Sequence, residues 1–151
     1  MKQRDTVSMA GDEVTGLLTA ARKMHLATIN PDGTPHLVTM FFGLSGGRIA
    51  FWTYRRSQKA LNLARDPRVT CLVEEGEDYF ALRGAQISGV VDPIGDLAGV
   101  TAVGRLIAAR MPDVPAEALD AYVAQAARKR TAYLVEPRRV ASWDHRKLLE
   151  T

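Results

Sequence analysis

Met24-His25-Leu26-Ala27-Thr28-Ile29-Asn30, then Pro31-Asp32-Gly33, then Thr34-Pro35-His36-Leu37-Val38-Thr39-Met40-Phe41-Phe42-Gly43 reads as a strand, a tight turn and a returning strand. Asp-Gly between two runs of this kind is strong hairpin chemistry, because the glycine accepts the positive φ that the turn demands. A second turn at Ser45-Gly46-Gly47 leads into Arg48 to Thr53. The expectation is three antiparallel strands in a meander.

Downstream, a helix is expected from about Ser57 to Arg65, offering Ala60, Leu61 and Ala64 to the core, and Asp66-Pro67 ends it because proline disfavours helix in the residue before it. Arg68 to Glu74 alternates as a strand, and the acidic turn Glu75-Gly76-Glu77-Asp78 leads to a long strand from Tyr79 to Val91. Gly84 and Gly89 inside that strand mark a bulge or bend of the kind that lets a sheet curl. Two helices follow, Asp96 to Arg110 with Leu97, Val100, Val103 and Ile107 on one face, and one opened by Pro115 with Leu119, Tyr122, Val123 and Ala126. Arg130 to Glu136 and Arg138 to Trp143 finish the chain as strands broken at Pro137. Upstream, Asp12 or Glu13 to Arg22 places Val14, Leu17, Leu18 and Ala21 at helical spacing. The order is that of an α+β protein, a small antiparallel barrel with peripheral helices, and not of alternating βαβ units.

The 151 residues fit a single domain spanning 1–151, since domains run to roughly 100–200 residues. With 46% apolar and 25% charged residues, the chain has the composition of an ordinary globular domain that folds without staples. No apolar run approaches the roughly 18 residues that span a bilayer, so a cytoplasmic protein with no membrane partner is expected. The single Cys71 forms no intrachain disulfide and alternates with apolar neighbours as a small core residue; His25, His36 and His145 lie too far apart for zinc spacing, so no metal is expected. The net charge of +3 is a modest excess. Arg128-Lys129-Arg130 ends a helix, where positive charge suits the dipole, and Arg138-Arg139 lacks the aromatic interleaving of a nucleic-acid reader, so nucleic acid is not an expected partner.

Chemistry concentrates in Thr53-Tyr54-Arg55-Arg56-Ser57-Gln58-Lys59, where a strand ends, a basic turn follows and a helix begins with Ser57 as N-cap. Cations at a helix N-terminus oppose the helix dipole at roughly 0.3–1 kcal/mol each unless an anion answers them. The segment fits two readings: a phosphate cradle built from first-turn N–H groups, the Ser57 hydroxyl, Arg55 or Arg56 and Lys59, or a solvated basic turn. Beside it, Phe41, Phe42, Phe51, Trp52 and Tyr54 with Thr39 and Thr53 suit the wall of a flat ring, or equally a strand core. Trp143, followed by His145, Arg146 and Lys147, fits either a site contributed to a partner subunit or a buried Trp beside exposed charges.

Gly33-Thr34-Pro35-His36-Leu37-Val38-Thr39, Phe51-Trp52-Thr53-Tyr54 with Ser57-Gln58-Lys59-Ala60, and Asn62 through Val69 together resemble the split β-barrel flavin and deazaflavin proteins, the superfamily of pyridoxamine 5′-phosphate oxidases and coenzyme F420-dependent oxidoreductases. The resemblance continues through Leu82-Arg83-Gly84 and Ile87-Ser88-Gly89 to Ser142-Trp143-Asp144-His145-Arg146-Lys147-Leu148. It implies an FMN-binding split barrel and a homodimer with cofactor sites at the interface. Carried over by position, Lys59 is the main phosphate ligand, assisted by Ser57, Gln58 and Arg55 or Arg56; Thr39, Met40 and Phe41 line the ring edge; Trp52 and Thr53 contact the cofactor from the next strand. Pyridoxamine phosphate oxidases commonly carry Arg where this chain has Gln58, and the Ser142–Leu148 ending resembles the F420 branch. Coenzyme F420 is therefore favoured over FMN, and hydride transfer from reduced deazaflavin to an unsaturated small-molecule acceptor is the implied activity. The alternatives are an FMN-dependent oxidase-like enzyme and a non-catalytic flavin, deazaflavin or haem carrier. No Ser/His/Asp grouping or carboxylate pair identifies a proton donor, and the catalytic residues stay unassigned.

Overall fold

A computed structural model describes residues 1–150. Two helices, α1 (Gln3–Val7) and α2 (Gly11–Ala20), precede strands β1 (Lys23–Ile29), β2 (Pro35–Phe41), β3 (Gly43–Ser45) and β4 (Arg48–Tyr54). Helix α3 (Gln58–Arg65), strands β5 (Arg68–Glu75) and β6 (Arg83–Ile94), helices α4 (Leu97–Ala108) and α5 (Ala116–Ala127) and the long strand β7 (Arg130–Asp144) complete the order. All pairings are antiparallel, in one sheet ordered β2-β1-β5-β6-β7-β4-β3.

That order dictates the shape. β2 and β3 lie at opposite edges of the sheet, yet only Phe42 separates them in the chain. Consecutive Cα atoms are about 3.8 Å apart, so the two edges meet within roughly 8 Å and the sheet has to curl into a barrel. Phe42 is fully buried at the corner, its N–H donating to the Arg22 carbonyl at 3.1 Å. The Arg110 guanidinium lies 4.6 Å from the Phe42 ring centroid and donates to the carbonyls of Phe42 (3.1 Å), Leu18 and Thr19 (2.7 Å), tying the end of α4 to this corner and to the end of α2.

The expected meander is therefore corrected. The β1–β2 and β3–β4 hairpins form, but β2 and β4 share no ladder, because the chain turns at Phe42 and its two halves serve different edges. β3 stops opposite Ala50, so Phe51 to Tyr54 pair only with β7, and a split opens between them and β2. Three other boundaries differ. The run from Tyr79 starts as a short 3₁₀ turn, Tyr79–Ala81, before β6 begins. β7 is continuous through Pro137, because a bulge at Ser88/Gly89 sets Gly89 opposite Pro137 and absorbs the missing donor. α1 forms where only a polar start was read.

The barrel is filled by Leu26, Phe51, Cys71, Val73, Ala85 and Val135, with Phe51 and Tyr133 rings stacked at 5.1 Å. A second apolar cluster, Ala50, Val100, Val103, Ile107, Ala127 and Ala132, seats α4 and α5 on β4 and β7. Each fully buried Val or Ile there contributes about 1.5–3 kcal/mol of transfer free energy, which is what holds the helical pair over the split. Leu97 and Tyr122, expected on the inward faces, are 57% and 55% exposed.

Candidate functional site

A cavity of about 440 Å³ occupies the split. Val38, Thr39, Met40 and Phe41 of β2 form one wall, Trp52, Thr53 and Tyr54 of β4 the other, and Gly104, Ile107 and Ala108 of α4 with Tyr122 and Val123 of α5 form the roof. The volume lies within the roughly 300–1,000 Å³ of small-molecule sites. Trp52 reaches the roof because residue 104 is glycine: a Cβ there would stand 2.4 Å from Cζ3 of the indole.

The electrostatics are one-sided. Lys59 and Arg130 are the charged residues that line the cavity, and no carboxylate lines it. Lys59 forms no ion pair among the described residues. It belongs to the first turn of α3, whose N-cap is Ser57 as expected: the Ser57 hydroxyl oxygen accepts from the Ala60 N–H at 3.2 Å and from the Thr53 hydroxyl at 3.1 Å. With Ala60 satisfied, the N–H groups of Gln58 and Lys59 remain as the free donors of that turn. The Arg130 guanidinium carbon lies 4.9 Å from the Trp52 ring centroid and 4.2 Å from that of Tyr54.

Thr39, Met40, Phe41, Trp52, Thr53 and Lys59 are thus brought together as the sequence suggested, while the expected convergence of three cations does not occur. Arg55 turns away: its backbone N–H donates to the Lys129 carbonyl at 3.0 Å and its guanidinium to the Arg128 carbonyl at 2.8 Å, because the end of α5 offers unpaired carbonyls beside the turn. Arg56 is exposed and does not line the cavity. Ser57 acts as the cap, and the Gln58 amide donates to Asn62 Oδ1 at 2.8 Å, so both support the turn without lining the cavity. Trp143 is outside it as well. Its indole lies on Gly84, where a Cβ would fall 2.3 Å from Cζ2, and the residues after it are tied within the chain: His145 Nδ1 to the Tyr79 carbonyl at 2.8 Å, Arg146 to Asp144 at 2.7 Å, and Lys147 to Glu13 at 2.9 Å.

Sequence reasoning missed Arg130 and the helical roof. Arg130 opens the final strand as expected, but its pairing directly opposite Tyr54, which brings it to the cavity, is revealed only by the register. Cys71 is a core residue, and burial pushes its thiol up to about 12. Among the described residues no cluster of His, Cys, Asp and Glu could hold a metal, and no helix is long and apolar enough to cross a membrane. A cavity of about 500 Å³ between α1, α2 and β7 is larger; Arg4, Asp5 and Arg48 line it, so it is of mixed charge, and Arg48 is paired with Asp92 at 2.6 Å.

No curated protein matches the chain. Among solved structures it is similar to the conserved hypothetical protein Rv2991 from Mycobacterium tuberculosis, with 38% identity, a TM-score of 0.89, and coverage of 98% of this chain and 92% of that one. It is also similar to an F420 reductase, with 25% identity, a TM-score of 0.65, and coverage of 87% and 97%. HutZ, the heme storage protein from Vibrio cholerae, shares the fold at 17% identity and a TM-score of 0.64, over 86% and 92%. The model of the family described as pyridoxamine 5′-phosphate oxidase matches residues 10–144. With that match covering the curled sheet, its split and the turn that carries Lys59, the chain belongs to the pyridoxamine 5′-phosphate oxidase-like split-barrel family.

Proposed function

We propose that the protein is an F420-dependent oxidoreductase that moves hydride between reduced deazaflavin and an unsaturated organic acceptor. The observation that carries this is the cavity in the barrel split, walled by Trp52, Phe41 and Met40 and charged only by Lys59 and Arg130. A planar anionic cofactor suits that donor set: apolar and aromatic walls for the ring, and the unanswered ammonium of Lys59, in the first turn of α3, for the phosphate. The likeness to an F420 reductase supports the choice of deazaflavin, as does Gln58 at the position where pyridoxamine phosphate oxidases commonly carry Arg.

Lys59, which lines the cavity, would hold the phosphate, and Thr39, Met40, Phe41, Trp52 and Thr53 would flank the ring. When bound, the deazaflavin supplies the reactive hydride, so no protein nucleophile is needed. The α4–α5 roof positions the acceptor and keeps water from the ring face. Leu37, Phe41 and Tyr54 are 67%, 45% and 54% exposed on the two strands beside the cavity, which supports a homodimer in which a second copy covers the open side of the site. FMN is the second reading, favoured by the family match itself, because the same contacts serve either phosphate.

Side-by-side titration with F420 and FMN, followed by a screen of activated alkenes and quinones against the reduced cofactor, tests the proposal. The expected result is colourless purified protein that binds added F420 more tightly than FMN and oxidises reduced F420 when an acceptor is present. Yellow protein carrying a flavin spectrum transfers the reading to FMN, and binding without turnover of any acceptor makes the protein a carrier.

A further inference from the structure

The geometry points to a proton relay, Glu74–His25–Thr39, that delivers a proton to the floor of the cavity in the barrel split. This inference rests on the redox reading above and supplies the proton donor which that reading lacks. His25 and Thr39 face each other directly in the β1–β2 register, and Thr39 Oγ1 stands 3.0 Å from His25 Nδ1. The far nitrogen, His25 Nε2, is 3.9 Å from the Glu74 carboxylate on β5. Thr39 is the joint between two spaces: it lines the 440 Å³ cavity and also a neighbouring cavity of about 350 Å³ that holds His25. The charged groups around that second cavity are Arg22, Lys23, Glu74 and Glu75. Glu75 is taken by Arg83 at 2.6 Å, which leaves Glu74 to face the imidazole. The His25 and Glu74 side chains are 38% and 47% exposed, so the outer end of the relay exchanges protons with water while its inner end opens on the site.

The chemistry balances. An activated C=C acceptor that has taken hydride, with its two electrons, from reduced deazaflavin is left as a carbanion or enolate. It takes the proton of the Thr39 hydroxyl as that O–H bond breaks; the Nδ1–H bond of protonated His25 breaks in turn, and its proton re-forms the Thr39 hydroxyl. The acceptor has gained two electrons and two hydrogens, the deazaflavin has lost two electrons, and neutral His25, left with its proton on Nε2, regains a proton at Nδ1 from solvent that reaches the half-exposed ring. Thr39 is the donor that touches the acceptor. His25 and Glu74 are positioning residues that act through it.

Long-range ¹H–¹⁵N NMR of the imidazoles, recorded on the full chain with and without saturating F420, tests this without turnover. In the free protein His25 is expected as the Nε2–H tautomer, with Nδ1 accepting from Thr39. F420 is expected to shift both His25 nitrogens in wild type and in Thr39→Ser, and to leave them unmoved in Thr39→Val, a nearly isosteric variant that lacks the hydroxyl. With menadione as acceptor and reduced F420 as donor, His25→Gln and Thr39→Val are expected to lower kcat at pH 8 at least tenfold, within the 10²–10⁴ typical of general acid catalysis, to keep KM within about twofold, and to flatten the pH profile of kcat. F420 that binds but leaves the His25 nitrogens of wild type unmoved, or moves them equally in Thr39→Val, overturns the relay and leaves the redox reading standing. Failure of both F420 and FMN to bind overturns that reading and the relay with it.

Discussion

Gly104 and Trp52 set the width of the cavity between them. Gly104→Ala places a methyl group 2.4 Å from Trp52 Cζ3, and the ring has to move toward the ligand space. Overpacking of this kind costs about 1–3 kcal/mol, and we expect a folded variant whose affinity for F420 falls by roughly fivefold, the equivalent of about 1 kcal/mol. Fluorescence titration beside a thermal melt checks it, and unchanged affinity means that the indole does not border the ligand. At this scale the basic turn with Lys59 and the aromatic residues of β2 and β4 were legible in the residues, and the resemblance to the split-barrel proteins singled out Lys59, Thr39, Met40, Phe41, Trp52 and Thr53 among them. Arg55 and Trp143 were not: their directions are decided by the Arg128 carbonyl and by the space over Gly84, both remote in sequence. Arg130 was read as a helix-end charge at the start of a strand, without a place in the site, since nothing local shows that Tyr54 and Trp52 lie beside it.

Helix α3 carries Lys59 in its first turn, and a buried amide anchors it. Asn62 is fully buried, donates to Thr28 Oγ1 at 3.0 Å and Asn30 Oδ1 at 3.1 Å, and accepts from Gln58 at 2.8 Å. This network settles the phase of the helix. The apolar pattern suggested Ala60, Leu61 and Ala64 inward, but Ala60, Asn62 and Leu63 are buried while Leu61 is 54% exposed. A buried polar side chain with partners on β1 outweighs one leucine, and the sequence shows Asn62 without showing Thr28 beneath it. Asn62→Ala strands these partners, and a loss of about 1–3 kcal/mol is expected, seen as a lower urea midpoint with an unchanged slope. An unaltered midpoint would mean that α3 is held by Ala60 and Leu63 alone. The α4–α5 pair was legible as two helices and illegible as a roof, because apolar faces announce burial without naming the surface they cover.

The barrel as a whole is closed by residues far apart in the chain. Gly33 and the bulge at Gly89 leave local marks in the sequence, so curling was foreseeable, whereas the bend at Phe42 and the β2–β4 split follow from a sheet order that only the assembled structure displays. The clasp at the end of β7 is electrostatic. Asp144 is 2% exposed, bonded by Arg146 at 2.7 and 2.9 Å and approached by Arg83 at 3.4 Å. The Arg146 guanidinium holds its carboxyl below the ordinary 3.8, so the charged form favours the folded state. The resulting stability is fully present above that ordinary value and is lost as pH falls from there through the lower folded value. Asp66, held at about 2 by Arg68, acts in the same direction. Urea midpoints are expected to be flat near neutrality and to drop below pH 4, with a shallower acid slope in Asp144→Asn; an identical slope would remove Asp144 from the clasp. The exposed apolar residues on β2 carry a prediction for assembly: sedimentation equilibrium is expected to give twice the chain mass of 16.5 kDa, and Leu37→Arg to shift the protein toward monomer. A wild-type protein that remains monomeric at all concentrations would refute the second copy.

The central claim is that Lys59 answers a cofactor phosphate in the split, and the direct measurement is the dissociation constant of F420 for wild type and for Lys59→Ala, by fluorescence at fixed ionic strength. Loss of this charge-assisted contact is expected to weaken binding at least tenfold, about 1.4 kcal/mol, with the fold intact by circular dichroism. Equal affinity in a folded Lys59→Ala variant would contradict the account.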